Sequence, residues 1–107
     1  MKRLLLAALT AATLATPAFA VENIDVTKHR SAVSALLAEK AVNWSNVEKI
    51  VIEPVYPTEG PITDVMAFVH LRQCDDGYIV VRLTRAGQIT QSYTRNSCKV
   101  SGFENYN

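Results

Sequence analysis

Few side chains in this chain could do chemistry, and their spacing says what kind. There are two histidines, His29 and His70, and two cysteines, Cys74 and Cys98. Two adjacent carboxylates, Asp75 and Asp76, sit between apolar runs. A histidine can act as a general base when a positioned carboxylate orients it. His70 lies in an alternating run whose expected cross-strand neighbour is Arg82, and a cation cannot orient the ring in that way. Its ordinary role is a histidine on a half-buried sheet face. Ser92 and Ser101 lie in no nucleophile motif. Asp75 and Asp76 fall short of the roughly 6–8 oxygen ligands that calcium takes, and aspartates at turns commonly bond their own backbone. No glycine-rich phosphate loop is present. Neither a catalytic residue nor a metal site nor a cofactor is expected.

The cysteines are the clearest chemical signal. They form no CxxC pair, and a zinc site usually needs four clustered ligands. An even pair in an oxidising compartment reads as a structural disulfide between Cys74 and Cys98. The short loop it closes would be worth roughly 3 kcal/mol in the chain-entropy model.

The N-terminus supplies that compartment. Met1-Lys2-Arg3 is basic, Leu4 to Ala15 is apolar, and Pro17-Ala18-Phe19-Ala20 ends in an A-x-A pattern. Residues 1–20 are therefore expected to be a secretory signal peptide cleaved after Ala20. The apolar run is shorter than the ~20 residues of a membrane span. A bacterial, periplasmic or secreted location follows. Cleavage leaves residues 21–107, a single small α+β domain of 87 residues (107 less 20). Removing Lys2 and Arg3 takes the formal net charge from +1 to near −1. Arg72, Arg82, Arg85, Arg95 and Lys99 are basic, but there is no field for nucleic acid and no segment for a membrane after cleavage.

Several elements must position these side chains. Asp25 or Thr27 can cap a helix from Lys28. Val33, Leu36, Leu37, Ala41 and Trp44 share one helical face. Trp44 is expected to be a core anchor at the helix end, with an exposed ligand platform as the alternative. Val47–Val55 is a strand, placed at an edge or ended by Pro54.

The stretch from Asp64 to Arg95 is a β-meander with glycines at two turns. If 75–77 and 85–87 are three-residue loops, Leu71 lies opposite Val81, and Leu83 opposite Ile89. One face then collects Val65, Ala67, Val69, Leu71, Ile79, Val81, Leu83, Ile89 and Tyr93, which the helix would cover. The other face is mixed: Met66, Phe68, His70, Arg72, Tyr78, Val80, Arg82, Thr90, Ser92 and Thr94. Phe68, His70, Tyr78 and Arg82 are the candidate binding residues on it. The tail, with Val100, Phe103 and Tyr106 at intervals of three, is expected to cover this face. A partner protein is the alternative.

The run DGYIVVRLTRAGQITQSYTR resembles the last hairpin of PepSY-type domains, a "G-x-V-x-V…G-x-I" pattern after an N-terminal helix. That resemblance spans roughly residues 27–94. It implies extracytoplasmic binding and, in some members, restraint of peptidases. The disulfide and the C-terminal tail depart from that pattern. Gln73-Cys74-Asp75-Asp76-Gly77 and Ser101-Gly102-Phe103-Glu104-Asn105-Tyr106 also resemble turns of periplasmic inhibitors of C-type lysozyme. There the tyrosine would stand one residue earlier, and the helix has no place in that all-β fold.

The sequence thus predicts an α+β fold with one N-terminal helix on a four-stranded antiparallel sheet and a disulfide-tethered tail. It predicts a non-enzymatic periplasmic binding or inhibitory module whose partner would be another periplasmic protein. The alternative is a small-ligand or metal binder around His70.

Overall fold

The computed structural model describes residues 24–106. The expected signal peptide, 1–20, lies outside the described residues.

Helix α1 runs Val26–Glu39, and Asp25 begins it. The Asp25 carboxylate accepts the Lys28 backbone N–H at 3.1 Å, satisfying one of the orphan donors of a first turn. His29, Val33, Leu36 and Leu37 form the buried stripe. The helix stops before Ala41. The N–H groups of Ala41 and Val42 return to the carbonyls of Ala38 and Leu37, and Ala41 takes φ 60°. This is a Schellman ending with alanine in glycine's usual place. It turns the chain, so Trp44 does not continue the stripe. Trp44 opens a 3-10 turn, Trp44–Asn46, and is 58% exposed, which overturns its expected place in the core.

The strands are β1 (Val47–Val55), β2 (Asp64–Leu71), β3 (Ile79–Thr84), β4 (Ile89–Arg95) and β5 (Glu104–Tyr106). They lie side by side in chain order. The first four are antiparallel, and β5 runs parallel to β4. The sheet is therefore five-stranded and mixed, not four-stranded and antiparallel. The tail supplies the added strand. Its return through 96–103 is shorter than the dozen or more residues a parallel crossover usually takes. Asn96 at φ 58° helps turn it.

Two registers differ from expectation. Val69 pairs with Ile79, and Ala67 with Val81, so β2 and β3 are offset by four residues from a three-residue loop. Chain 72–78 makes the turn instead. The Cys74 N–H closes on Leu71 O, and Arg72 N–H bonds Asn46 O. The offset is even, so the faces of β2 and β3 are unchanged. Between β3 and β4 the hairpin closes as expected, with Leu83 opposite Ile89. A bulge then inserts Thr90, so that Arg82 pairs with Gln91, Val80 with Tyr93 and Ile79 with Thr94. That single-residue shift reverses β4 beyond the bulge. Ser92 and Thr94 turn inward, and Tyr93 turns outward. A second bulge between Val47 and Lys49 turns Val47 inward beside Leu71.

The core lies between α1 and the inner face: Val33, Leu36, Leu37, Ile50, Val65, Ala67, Val69, Leu71, Ile79, Val81 and Leu83, with Cys98. Val100 and Phe103 pack against it. Cys74 and Cys98 form the predicted disulfide. In so small a core its roughly 3 kcal/mol is a large share of net stability. His29 is fully buried. Its Nδ1 stands 2.8 Å from Asp25 O and its Nε2 3.1 Å from Thr84 O. The ring thus ties the start of α1 to the end of β3.

Candidate functional site

The sheet's outer face carries an organised surface. Cross-strand pairing builds a row directly across it: Val51 beside Phe68, Phe68 beside Val80, Val80 beside Tyr93. Tyr106 on β5 extends this row, its ring 4.9 Å from that of Tyr93. Val80 keeps only 2% of its surface although it points away from the core, because larger row neighbours flank it. Phe68 and Tyr93 remain half-buried. Aromatic and β-branched cross-strand pairs are the unit that stabilises such a surface.

Rows of mostly polar residues border it on both sides. On one side Lys49 stands opposite His70. On the other lie Glu53, Met66, Arg82 and Gln91. Phe68 meets Tyr78 edge-on at 5.5 Å, and His70 meets the same ring at 5.5 Å with a tilt. Three of the four candidate residues are thus brought together. Arg82 is not. The four-residue offset sets it opposite Met66 rather than His70, and it pairs with Asp64 at 3.6 Å. Half-exposed pairs of this kind contribute under about 1 kcal/mol.

The tail does not cover this face. It joins the sheet's margin and enlarges the surface by Tyr106. What fixes it there is a small polar network. Thr94 is fully buried. Asn105 Nδ2 donates to Thr94 Oγ1 at 2.9 Å, to Asn96 O at 3.1 Å and to Cys98 O at 3.3 Å. Thr94 Oγ1 donates to Glu104 O at 3.3 Å. On the outer side, Tyr106 donates its hydroxyl to Glu104 Oε1 at 2.7 Å. That bond, and then the carboxylate's charge, hold the phenol above its usual ionisation range.

Tyr93 and Tyr106 belong to this surface, although the sequence pattern does not mark them as binding candidates. A bulge cannot be read from alternation, which puts Tyr93 on the inner face. A parallel return of the tail leaves no local pattern. Asp75 and Asp76 lie in the turn. The Asp76 backbone carbonyl accepts Ser97 Oγ at 2.8 Å, and its carboxylate accepts Asn96 Nδ2 at 3.5 Å. This turn aspartate ties loop to loop. Among the described residues no three His, Cys, Asp or Glu side chains are grouped to hold a metal. Neither histidine there is hydrogen-bonded to a nucleophile or a carboxylate. A cavity of about 360 Å³ opens at the end of α1, lined by Lys40, Asn43, Asn46, Gln73, Lys99 and Ser101 among others.

No family model, characterised protein or solved structure matches the chain. Its functional reading rests on this geometry.

Proposed function

We propose that this protein is a non-enzymatic exported module that binds another protein of the same compartment through the outer face of its sheet. One observation carries the reading: the row Val51–Phe68–Val80–Tyr93, extended by Tyr106, is apolar and is rimmed by Lys49, His70, Glu53, Arg82 and Gln91. An apolar centre with a polar rim is the anatomy of a protein interface. Phe68 and Tyr93 are rigid aromatic anchors of the kind that dominate interface energetics. The paired cysteines and the A-x-A pattern at 18–20 support the compartment. The resemblance to PepSY-type domains points the same way, toward extracytoplasmic binding and inhibition.

The test is capture from periplasmic extract by immobilised wild-type protein, by Phe68→Gln and by Arg30→Gln. Arg30 is exposed on α1. The reading predicts one saturable partner, retained by Arg30→Gln. Phe68→Gln should weaken it about thirtyfold, the equivalent of a 2 kcal/mol hot spot. Absence of specific capture, or equal capture by both variants, would contradict it.

A second reading has one observation in its favour, the Phe68–Tyr78–His70 ring cluster. It would accept a small planar ligand. A thermal-shift screen in which no stabilising compound depends on His70 would remove it.

A further inference from the structure

We infer that strand β1 pairs with β1 of a second copy, antiparallel about a two-fold axis at Val51, to give one continuous ten-stranded sheet. Strand β1 is a margin of the sheet. Among the described residues no further segment hydrogen-bonds along it.

The backbone parity of the strand sets which groups are free. Arg85 N–H bonds Thr63 O, opposite in the β2–β3 register. Antiparallel strands alternate between residues that bond one neighbour and residues that bond the other. Odd residues of β2 therefore turn their backbone toward β3, and even ones toward β1. The even residues His70, Phe68 and Met66 stand opposite Lys49, Val51 and Glu53. Ile50, Ile52 and Pro54 are left with their backbone groups on the free margin. Pro54 has no N–H to leave unpaired there, which fits an edge position.

A pairing of two such margins must align free residues with free residues. Centred on Val51, it sets Ile50 opposite Ile52 of the second copy. Each such pair exchanges two backbone hydrogen bonds, and the axis generates the pair twice. The same register sets Lys49 opposite Glu53 of the second copy, again twice. Both side chains lie on the outer face and both are exposed. Opposite charges directly across a ladder stabilise it, and like charges do the reverse. Sliding by one pair in either direction loses this match. It sets Lys49 against Val51 or Val55, and in the second case sets Ile50 against Pro54, which cannot donate.

The side chains agree on both faces. Ile50 and Ile52 extend the inner, apolar layer. Val51 meets its own copy on the outer face, so the apolar row runs unbroken from one molecule into the other. Such a two-fold contact is closed, because each copy uses its single long margin. Lysines and prolines on edges usually discourage pairing. Here the lysine finds its opposite charge, and Pro54 only ends the ladder. The contact is short, at the low end of specific interfaces, so a dissociation constant of about 10–100 µM is expected.

Sedimentation velocity on the exported protein, from micromolar to about 1 mM, tests this. Lys49→Glu should weaken dimerisation about tenfold, and Lys49→Glu with Glu53→Lys should restore it to within about threefold. Val51→Cys should give a covalent dimer through the axis, whereas Glu53→Cys should not. A monomer throughout the range would overturn the inference. So would a dimer indifferent to Lys49→Glu but abolished by Phe68→Gln, which would place the contact on the outer face. Equal crosslinking through both cysteine variants would also overturn it. The dimer and the outer-face partner fail independently, since Phe68→Gln removes the outer-face anchor on β2 and leaves the Ile50–Ile52 ladder and the Lys49–Glu53 pair of β1 in place.

Discussion

Replacing Gly77 by alanine tests how the turn before β3 is held, and with it the placement of Tyr78. Gly77 adopts φ 114°. An alanine there costs about 1–2 kcal/mol for a positive φ. A Cβ would also drive into the Arg95 carbonyl oxygen and stand 3.0 Å from Cys98 Cβ and 3.1 Å from Cys98 N. These are backbone and disulfide atoms that have no room to retreat, so overpacking adds about 1–3 kcal/mol. The stiffer unfolded chain returns about 0.4–1 kcal/mol. The net loss is about 2–4 kcal/mol. Gly60 provides the control. Its φ is 91°, yet nothing lies within 4 Å of the added Cβ. Gly60→Ala should therefore cost only the backbone part, about 1 kcal/mol. Thermal unfolding with the disulfide intact reads both. At about 4–8 °C per kcal/mol for a domain of this size, Gly77→Ala should lower Tm by about 8–30 °C, and Gly60→Ala by about 4–8 °C. Equal losses would refute the crowding argument.

Other substitutions probe the remaining supports. Ala41→Gly should raise stability by about 0.5–1 kcal/mol, because Ala41 holds φ 60° at the helix end; urea unfolding measures it, and a loss would contradict the Schellman ending. Asn105→Ala removes the donor shared by Thr94, Asn96 and Cys98 and should cost about 1–3 kcal/mol, with amide exchange at β5 accelerated more than in the rest of the sheet. Tyrosinate absorbance should place Tyr106 ionisation above its ordinary 10.0, with Glu104→Gln bringing it down. A raised value means the proton is held more tightly in the folded state. The contribution is thus complete below the ordinary range and is lost as pH rises through the shifted one.

Much of this fold was legible because alternation and helical spacing are local. The span Val47–Val55, a cap at Asp25 or Thr27, the Leu83–Ile89 closure and the cysteine pair all rest on neighbouring residues or on a count. Even the wrong β2–β3 register left its faces right, since an offset of four preserves the alternation of side chains. What alternation cannot carry is a bulge, which reverses every residue beyond it. Thr90 alone moved Tyr93 from the core to the outer face. Helical spacing carries Trp44 onto the buried stripe, but the left-handed Ala41 ends the helix before it. The tail's place is not legible locally, because its pairing with β4 depends on Asn105 finding Thr94 across the fold. No short-range pattern announces that contact.

If the outer row receives another protein, site-specific photocrosslinking will trap that contact, with the reactive group at Gln91 on the outer face or at Ala38 on the exposed side of α1. In exporting cells, Gln91 should give one adduct heavier than the protein, and Phe68→Gln in the same chain should abolish it. Ala38 should give none. Adducts of equal yield from both positions, or none from Gln91, would rule out the outer row as the binding surface.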